Sequence, residues 1–287
     1  MEHDDGRARE TSSSICVCCT WLFMTWVVAA STIWGYGALY SDVQVTLSDG
    51  STRDMLRKAY PVANVIAAGF AGSVRIGFSL IESLESALTP PPGTSENALC
   101  HPVLAANVWA PSAKEVFDSA EARERALGSR ILMVGVSPNE SAGLGAKVYF
   151  ARFASPEFVP QIMTRTVKIC SIGTGASIQR YKHSIKPLFR LSSGILHAEV
   201  GNPFGWGVTL GYSIANATNW YPHSGISQHV HTTLIARDGF RYANSDQNTY
   251  QKDGVVIERT MPPLAQTYDQ FLAMLLVGGT DTACAVC

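Results

Sequence analysis

The sequence lacks a strong charge of either sign, internal repeats and any linker that would divide it. Its 22 basic and 23 acidic residues leave a formal net charge of −1, which gives no basic surface for nucleic acid. We therefore expect no nucleic-acid partner. The 287 residues are enough to bury a full core within one large domain.

A disulfide framework is also missing. The seven cysteines are odd in number and lie mostly near the ends of the chain: Cys16, Cys18, Cys19, Cys100, Cys170, Cys284 and Cys287. This distribution indicates a reducing compartment, and we expect a cytoplasmic protein. The final Cys284-Ala-Val-Cys287 has the outline of a prenylation box without the basic residues that usually accompany one.

Charge is absent from one long stretch, since no charged residue occurs between Glu10 and Asp42. The run from Ile15 to Trp34 is long enough to span a bilayer, so a membrane-anchored or exported protein is an alternative. The acidic start of the chain, however, is wrong for a signal peptide. Glycine, tyrosine and β-branched residues from Val27 to Tyr40 suit two buried strands and a turn. We expect these strands rather than a membrane partner.

What the sequence does contain is a connected unit from Ser41 to Leu88. Asp42 follows the apolar run, and Lys58 comes sixteen positions later. An apolar strand, Val62 to Phe70, leads into Ala71-Gly72-Ser73, and an amphipathic helix follows. The apolar face of that helix is predicted to contain Val74, Phe78, Ile81, Leu84 and Leu88.

This order of residues resembles the proteasome-type N-terminal-nucleophile (Ntn) hydrolases, including proteasome beta subunits and the peptidase subunit of the bacterial two-component ATP-dependent protease. In that family an N-terminal threonine opens a strand, and an Asp, a Lys and a glycine turn follow. The matching residues are Thr25, Asp42, Lys58 and Gly72. The spacings of sixteen and fourteen between the last three fit the family without gaps, whereas that between the first two is one residue longer. Ser171 to Ala176 resembles the family's later Gly-Ser-Gly turn.

The resemblance implies an α+β fold, a four-layer αββα sandwich of two antiparallel sheets between helix layers. Residues 25–287 would form this single domain, and residues 1–24 would be a propeptide or a mis-assigned start outside it. The implied activity is that of a threonine-type peptidase or amidohydrolase, which cleaves peptide or other amide bonds. The family also implies a homo-oligomer, and we expect neither a cofactor nor a metal.

Family positions assign roles to the candidate catalytic residues, which are Thr25, Asp42, Lys58, Gly72 and Thr174. The Thr25 hydroxyl would attack a carbonyl carbon while its free α-amine takes the proton. Lys58 would stabilise the developing alkoxide, and Asp42 would hold the ammonium in place. The backbone N–H of Gly72 would donate to the oxyanion, and Thr174 would support the amine.

Departures from the family pattern leave a non-catalytic assembly subunit as an alternative. Trp26 occupies a position where a small residue is usual, and Val43-Gln44 replaces the common Ser-Arg. The family's later Asp-x-x-Ser motif has no acid beside Ser224 and Ser227.

The remaining patterns predict further elements. Pro111 to Leu127 is predicted to be a helix, and a loop is predicted to join strands Arg130 to Val136 and Ala146 to Phe153. A hairpin is expected around Arg237-Asp238-Gly239, and a closing helix from Pro262 to Val277. His229 and His231 could share a strand face as a metal pair, but no third ligand is evident.

Overall fold

The structure is a computed structural model, and it describes residues 25–90, 93, 101–164, 168–186, 205–242, 247–252 and 254–277. Within them the protein is a mixed α/β protein with antiparallel sheets and six helices. The predicted propeptide, residues 1–24, and the Cys284–Cys287 box lie outside the described residues. Of the seven cysteines, only Cys170 lies inside them, where it is a buried free thiol.

The described strands are β1 Val27–Ser31, β2 Gly37–Asp42, β3 Gln44–Thr46, β4 Thr52–Asp54, β5 Ala59–Ala63, β6 Ile66–Gly72, β7 Ser129–Ala142, β8 Gly145–Ala154, β9 Gln161–Thr164, β10 Lys168–Ile172, β11 Val230–Ala236, β12 Gly239–Tyr242, β13 Gln247–Lys252 and β14 Val255–Thr260. The helices are α1 Val74–Leu88, α2 Pro102–Ser119, α3 Ala122–Ala126, α4 Gln179–Ile185, α5 Gly205–Trp220 and α6 Tyr268–Val277, and a 3-10 turn spans Thr174–Ser177.

Two five-stranded sheets pack face to face. The first has the order β10-β1-β2-β11-β12 and the second the order β5-β6-β7-β8-β9, and neighbouring strands run antiparallel throughout. Helices α1 and α2 pack against the second sheet, while α5 packs against β11 of the first. Two hairpins, β3–β4 and β13–β14, form separate two-stranded sheets.

Strand β1 is buried on both faces, which explains its uncharged sequence. Val27 and Ala29 point into the core between the two sheets, while Val28 and Ala30 belong to a second core. That second core also contains Tyr181 of α4. A strand with both faces covered is expected to read as a continuous apolar run rather than as an alternation.

The apolar run from Ile15 to Trp34 is therefore a strand in its described half. Strand β1 pairs with β2 on one side and β10 on the other, and residues 15–24 lie outside the described part. Among the helices that the structure describes, none combines the length and apolar character needed to cross a membrane.

Helix α1 begins where the sequence predicts. The Ser73 hydroxyl caps it by accepting a hydrogen bond from the backbone N–H of Ile76 at 3.1 Å. Leu80, Ile81 and Leu84 are buried in the core beside the second sheet. The capping residue of the helix thus follows Gly72 directly, and the helix fixes the position of that turn.

Several element boundaries differ from the predictions. The single strand predicted from Val62 to Phe70 is part of a hairpin, in which Asn64 and Val65 form the turn between β5 and β6. Helix α2 begins at Pro102 and continues through Pro111, which was expected to start it. Most of the loop predicted between β7 and β8 is strand, because these two strands extend to a tight turn.

Candidate catalytic site

Lys58 lies at the centre of the candidate site, at the edge between the two sheets. Its Nζ is 3.3 Å from Thr25 Oγ1 and 2.8 Å from Asp42 Oδ1, and it also donates to the backbone oxygen of Gln44. An ammonium has three protons to donate, and these three acceptors match them. The Lys58 and Asp42 side chains are only 2% and 1% exposed, so the two residues form a buried pair and not a surface pair.

Asp42 holds the strands on both sides of this site together. Its Oδ2 accepts the backbone N–H of Trp26 at 2.5 Å, and its Oδ1 accepts that of Gln44 at 2.9 Å. Burial raises the pKa of Asp42, and the charge of Lys58 with these hydrogen bonds acts in the opposite direction. The carboxylate is therefore matched by one ammonium and two amides, as a buried charge requires.

Gly72 lines the same small pocket as Thr25 and Lys58. Its φ of +108° is a backbone conformation that glycine adopts readily, and a Cβ there would lie 2.3 Å from the backbone oxygen of Gly128. The sequence therefore needs glycine at this turn, where main chain borders the pocket.

Thr174 begins the 3-10 turn that packs against the backbone of Thr25. The N–H of Gly175 donates to the carbonyl oxygen of Thr25 at 3.1 Å. A Cβ on Gly173, whose φ is +83°, would lie 2.1 Å from that same oxygen. The structure thus brings the turn containing Thr174 to the backbone of Thr25.

Trp26 fills a space on the far side of β1 from the core between the two sheets. Its indole stacks on Tyr181 with ring centroids 4.6 Å apart. A Cβ on Gly175 would lie 2.3 Å from the Trp26 ring, so a small residue at position 175 makes room for the indole. Trp26 therefore packs into the second core.

The pocket beside the candidate nucleophile is narrow and has an apolar wall. Its apolar lining residues are Val45, Leu56, Phe70 and Val74. The cavity holds about 10 Å³, which is close to the minimum for one water molecule. Thr25 itself is only 5% exposed. Two polar atoms of lining residues, Gln44 Oε1 and Thr46 Oγ1, have no hydrogen-bond partner among the described residues.

Nothing in the sequence indicated the role of Gln44 or of the polar side chains that it contacts on the side away from Lys58. Gln44 contacts both members of the buried pair through its backbone, and its side-chain Nε2 donates to Asp54 Oδ1 at 3.3 Å. Asp54 also accepts from Ser227 Oγ at 2.7 Å and contacts His229 Nδ1 at 2.9 Å. Ser227, which has no acid beside it in the sequence, thus has one in the fold. A separation of 173 residues hides this contact from any local motif.

The two histidines considered as a metal pair have separate surroundings. His229 contacts Asp54, whereas His231 is buried with its Nδ1 unpaired among the described residues. In the part of the chain that the structure describes, no three His, Cys, Asp or Glu side chains are grouped so as to hold a metal ion.

No protein-family model and no curated protein matches the sequence. Among solved structures, the chain is similar to the crystal structure of eukaryotic HslV from Trypanosoma brucei, with 15% identity and a TM-score of 0.47 over 74% of this chain and 99% of that chain. A likeness at this level carries no functional information, so function has to be inferred from the site itself.

Proposed function

We propose that the chain is an N-terminal threonine hydrolase of the proteasome-like type, which cleaves peptide or other amide bonds. The observation that carries this proposal is the buried Lys58 ammonium, which contacts the Thr25 hydroxyl and the Asp42 carboxylate together. The fold would be the four-layer αββα sandwich of Ntn hydrolases, formed by residues 25–287. The packing of helices against both sheets supports this assignment.

The proposed chemistry uses one residue as both nucleophile and base. Thr25 Oγ1 forms a bond to the amide carbonyl carbon, and its proton passes to the α-amine of Thr25. The Lys58 ammonium stabilises negative charge on Oγ1 during this step. The carbonyl oxygen, which becomes an oxyanion, would accept a hydrogen bond from the backbone N–H of Gly72. When the C–N bond breaks, the leaving amine takes the proton, and water then hydrolyses the Thr25 ester.

This chemistry requires removal of residues 1–24, because the nitrogen of Thr25 is an amide while Met24 precedes it. Freed of that bond, the amine would lie beside the turn that contains Thr174, since Gly175 already binds the Thr25 carbonyl. We propose that Thr174 supports the amine there.

The narrow pocket suggests which substrate side chain would bind next to the cleaved bond. Val45, Leu56, Phe70 and Val74 favour an apolar group. We therefore propose a peptide with a small apolar residue before the cleaved bond.

By the resemblance of Thr25, Asp42, Lys58 and Gly72 to the family motif, we also propose that the chain forms a homo-oligomer in the cytoplasm. A monomer in sedimentation at about the chain mass would contradict this assembly.

A non-catalytic subunit of the same fold is the second candidate, and the burial of Thr25 beside so small a cavity favours it. Intact-mass analysis of the natural protein separates the two candidates. A chain that begins at Thr25 supports the hydrolase. A chain that retains Met24 has no free α-amine on Thr25 and favours the non-catalytic subunit.

Variants of Thr25 test the nucleophile directly. Thr25→Ser should keep part of the activity, because a hydroxyl remains, whereas Thr25→Ala and a fixed extension before Thr25 should abolish it. Thr32 provides a matched control, since it is a buried threonine near the opposite end of β1. Thr32→Ala should remain active. Activity that survives in Thr25→Ala would rule out this residue.

A further inference from the structure

A second polar group lies on the far side of Gln44 from Lys58, and we call Asp54, Ser227 and His229 the Asp54 cluster. One carboxylate oxygen, Oδ2, accepts from Ser227 Oγ at 2.7 Å and contacts His229 Nδ1 at 2.9 Å. Ser227 Oγ in turn accepts the backbone N–H of His229 at 2.8 Å. The cluster thus ties the segment before β11 to the end of β4.

The other carboxylate oxygen of Asp54 faces the candidate site. Asp54 Oδ1 accepts from Gln44 Nε2 at 3.3 Å. The same Gln44 donates its backbone N–H to Asp42 and accepts from Lys58 through its backbone oxygen. A single residue therefore separates the Asp54 cluster from the groups that hold the Lys58 ammonium.

The surroundings of Asp54 keep its carboxylate ionised. Burial alone would raise the pKa of Asp54, but hydrogen bonds from His229, Ser227 and Gln44 and the charge of His229 leave that pKa below its usual range. Ser227 is 1% exposed, so its hydroxyl is fixed on the carboxylate rather than on water. The contacts with Ser227 and His229, at 2.7 and 2.9 Å, have the lengths of charge-assisted hydrogen bonds and hold the carboxylate in place, whereas the bond from Gln44 is longer.

The three residue types are those of a serine-hydrolase triad, but their arrangement differs from one. In a triad the histidine ring contacts the serine hydroxyl and the carboxylate orients the opposite ring nitrogen. Here the Ser227 hydroxyl and the His229 ring both bind the same carboxylate oxygen. The Ser227 hydroxyl donates to Asp54, so the His229 ring is not placed to take its proton as the histidine of a triad does.

We infer that Asp54 is a positioning residue for the Thr25 site and acts through Gln44. By holding the Gln44 side chain, Asp54 fixes strand β3 where its backbone contacts Asp42 and Lys58, and so sets where the ammonium lies relative to Thr25 Oγ1. This role deepens the proposed function and rests on it. The effect is on the reacting step, because the contacts of Gln44 with Asp42 and Lys58 are made by its backbone, and Asp54 itself does not line the narrow pocket.

Asp54→Ala tests this role, with Asp49→Ala as its matched control. Asp49 lies in the turn of the same β3–β4 hairpin, where its carboxylate accepts the N–H and the hydroxyl of Ser51. The first readout is reaction of Thr25 with a peptidyl vinyl sulfone carrying an apolar side chain, in protein whose processing to Thr25 has been verified by mass. Asp54→Ala should lower the maximal reaction rate by roughly 10-fold or more with unchanged probe affinity, since small misplacements of reacting groups are costly. Asp49→Ala should match the wild type.

A pair of His229 variants covers the case in which Asp54→Ala fails to fold. His229→Asn keeps an N–H donor near the position of Nδ1, so its reaction rate should stay close to wild type. His229→Ala removes the donor and should lower the rate in the same direction as Asp54→Ala. Equal rates in all these variants would overturn the inference.

The second readout needs no activity and separates the inference from the proposed function. In the full chain, the NMR signals of the Lys58 side chain should shift in Asp54→Ala and not in Asp49→Ala. If the wild type never reacts at Thr25, the proposed function fails, and these signals still decide whether Asp54 positions Lys58. Unchanged Lys58 signals in Asp54→Ala would overturn the inference.

Discussion

The backbone N–H of Trp26 donates to Oδ2 of Asp42, while Oδ1 of the same carboxylate accepts from Lys58. The carboxylate therefore fixes the residue after the candidate nucleophile and the cation beside it at the same time. No other acid among the described residues contacts both. The site and the local stability of β1 and β2 thus depend on a single side chain.

Asp42→Asn should cost both stability and activity. The amide cannot accept from every donor that surrounds Asp42, and Lys58 loses its buried counter-charge. Loss of one partner from a buried pair typically costs about 3–5 kcal/mol, which urea unfolding would measure. Asp118→Asn is the control, because Asp118 forms an exposed pair with Lys114 and its change should have no measurable effect. Equal stability of the two variants would contradict the buried-pair assignment.

Lys58→Ala should reduce turnover by about 100-fold or more, because one fixed group that stabilises transition-state charge is removed. The fold should persist by circular dichroism, although Asp42 is left unpaired and stability falls. Lys58→Arg should also fail, because a planar guanidinium cannot satisfy three acceptors arranged around a compact ammonium. Lys114→Ala, a change on the exposed surface of α2, should leave turnover intact. Full activity in either Lys58 variant would exclude the proposed mechanism.

Much of the candidate site could be predicted because its residues lie close together in the sequence, at or beside the ends of strands. Thr25 precedes β1, Asp42 ends β2, and Lys58 precedes β5, so sequence order with spacing was enough to select them. Their roles stay predictions. The Asp54 cluster could not be predicted, because Asp54 and Ser227 are joined only by the fold.

The helix and strand boundaries that were missed have local physical causes. Pro111 suggested a helix start, yet α2 already has Pro102 in its first turn, and the buried Trp109 holds the helix against the second sheet. Packing of this kind outweighs a single unfavourable residue. Asn64 was the available signal for the β5–β6 turn, but the apolar residues around it resembled one long strand.

Gly72→Ala should lose activity and stability together. The added Cβ meets the Gly128 carbonyl oxygen at 2.3 Å, and φ of +108° is strained for alanine, so we expect a cost of roughly 3 kcal/mol. Gly50→Ala is the matched control, since Gly50 also has a positive φ but has nothing within 4 Å of an added Cβ. It should cost about 1 kcal/mol and leave the rate unchanged. Thermal unfolding and turnover measured on both variants would check this. Full activity in Gly72→Ala would show that the Gly72 turn has no part in catalysis.

His231 should make the protein less stable in acid. Burial first, and the charge of Arg57 second, lower the pKa of His231 to about 4 from its ordinary 6.5. Between these values the unfolded chain binds a proton that the folded chain does not, so stability is full above about pH 6.5 and falls as the pH drops to about 4. The total loss is roughly 3 kcal/mol, and it stays constant at lower pH, where both states are protonated.

His231→Gln should flatten this part of the stability curve, whereas His223→Gln, at an exposed histidine, should leave it unchanged. Urea unfolding at intervals from pH 4 to pH 7 would measure the difference, and parallel curves for the wild type and His231→Gln would show that His231 is protonated equally in both states.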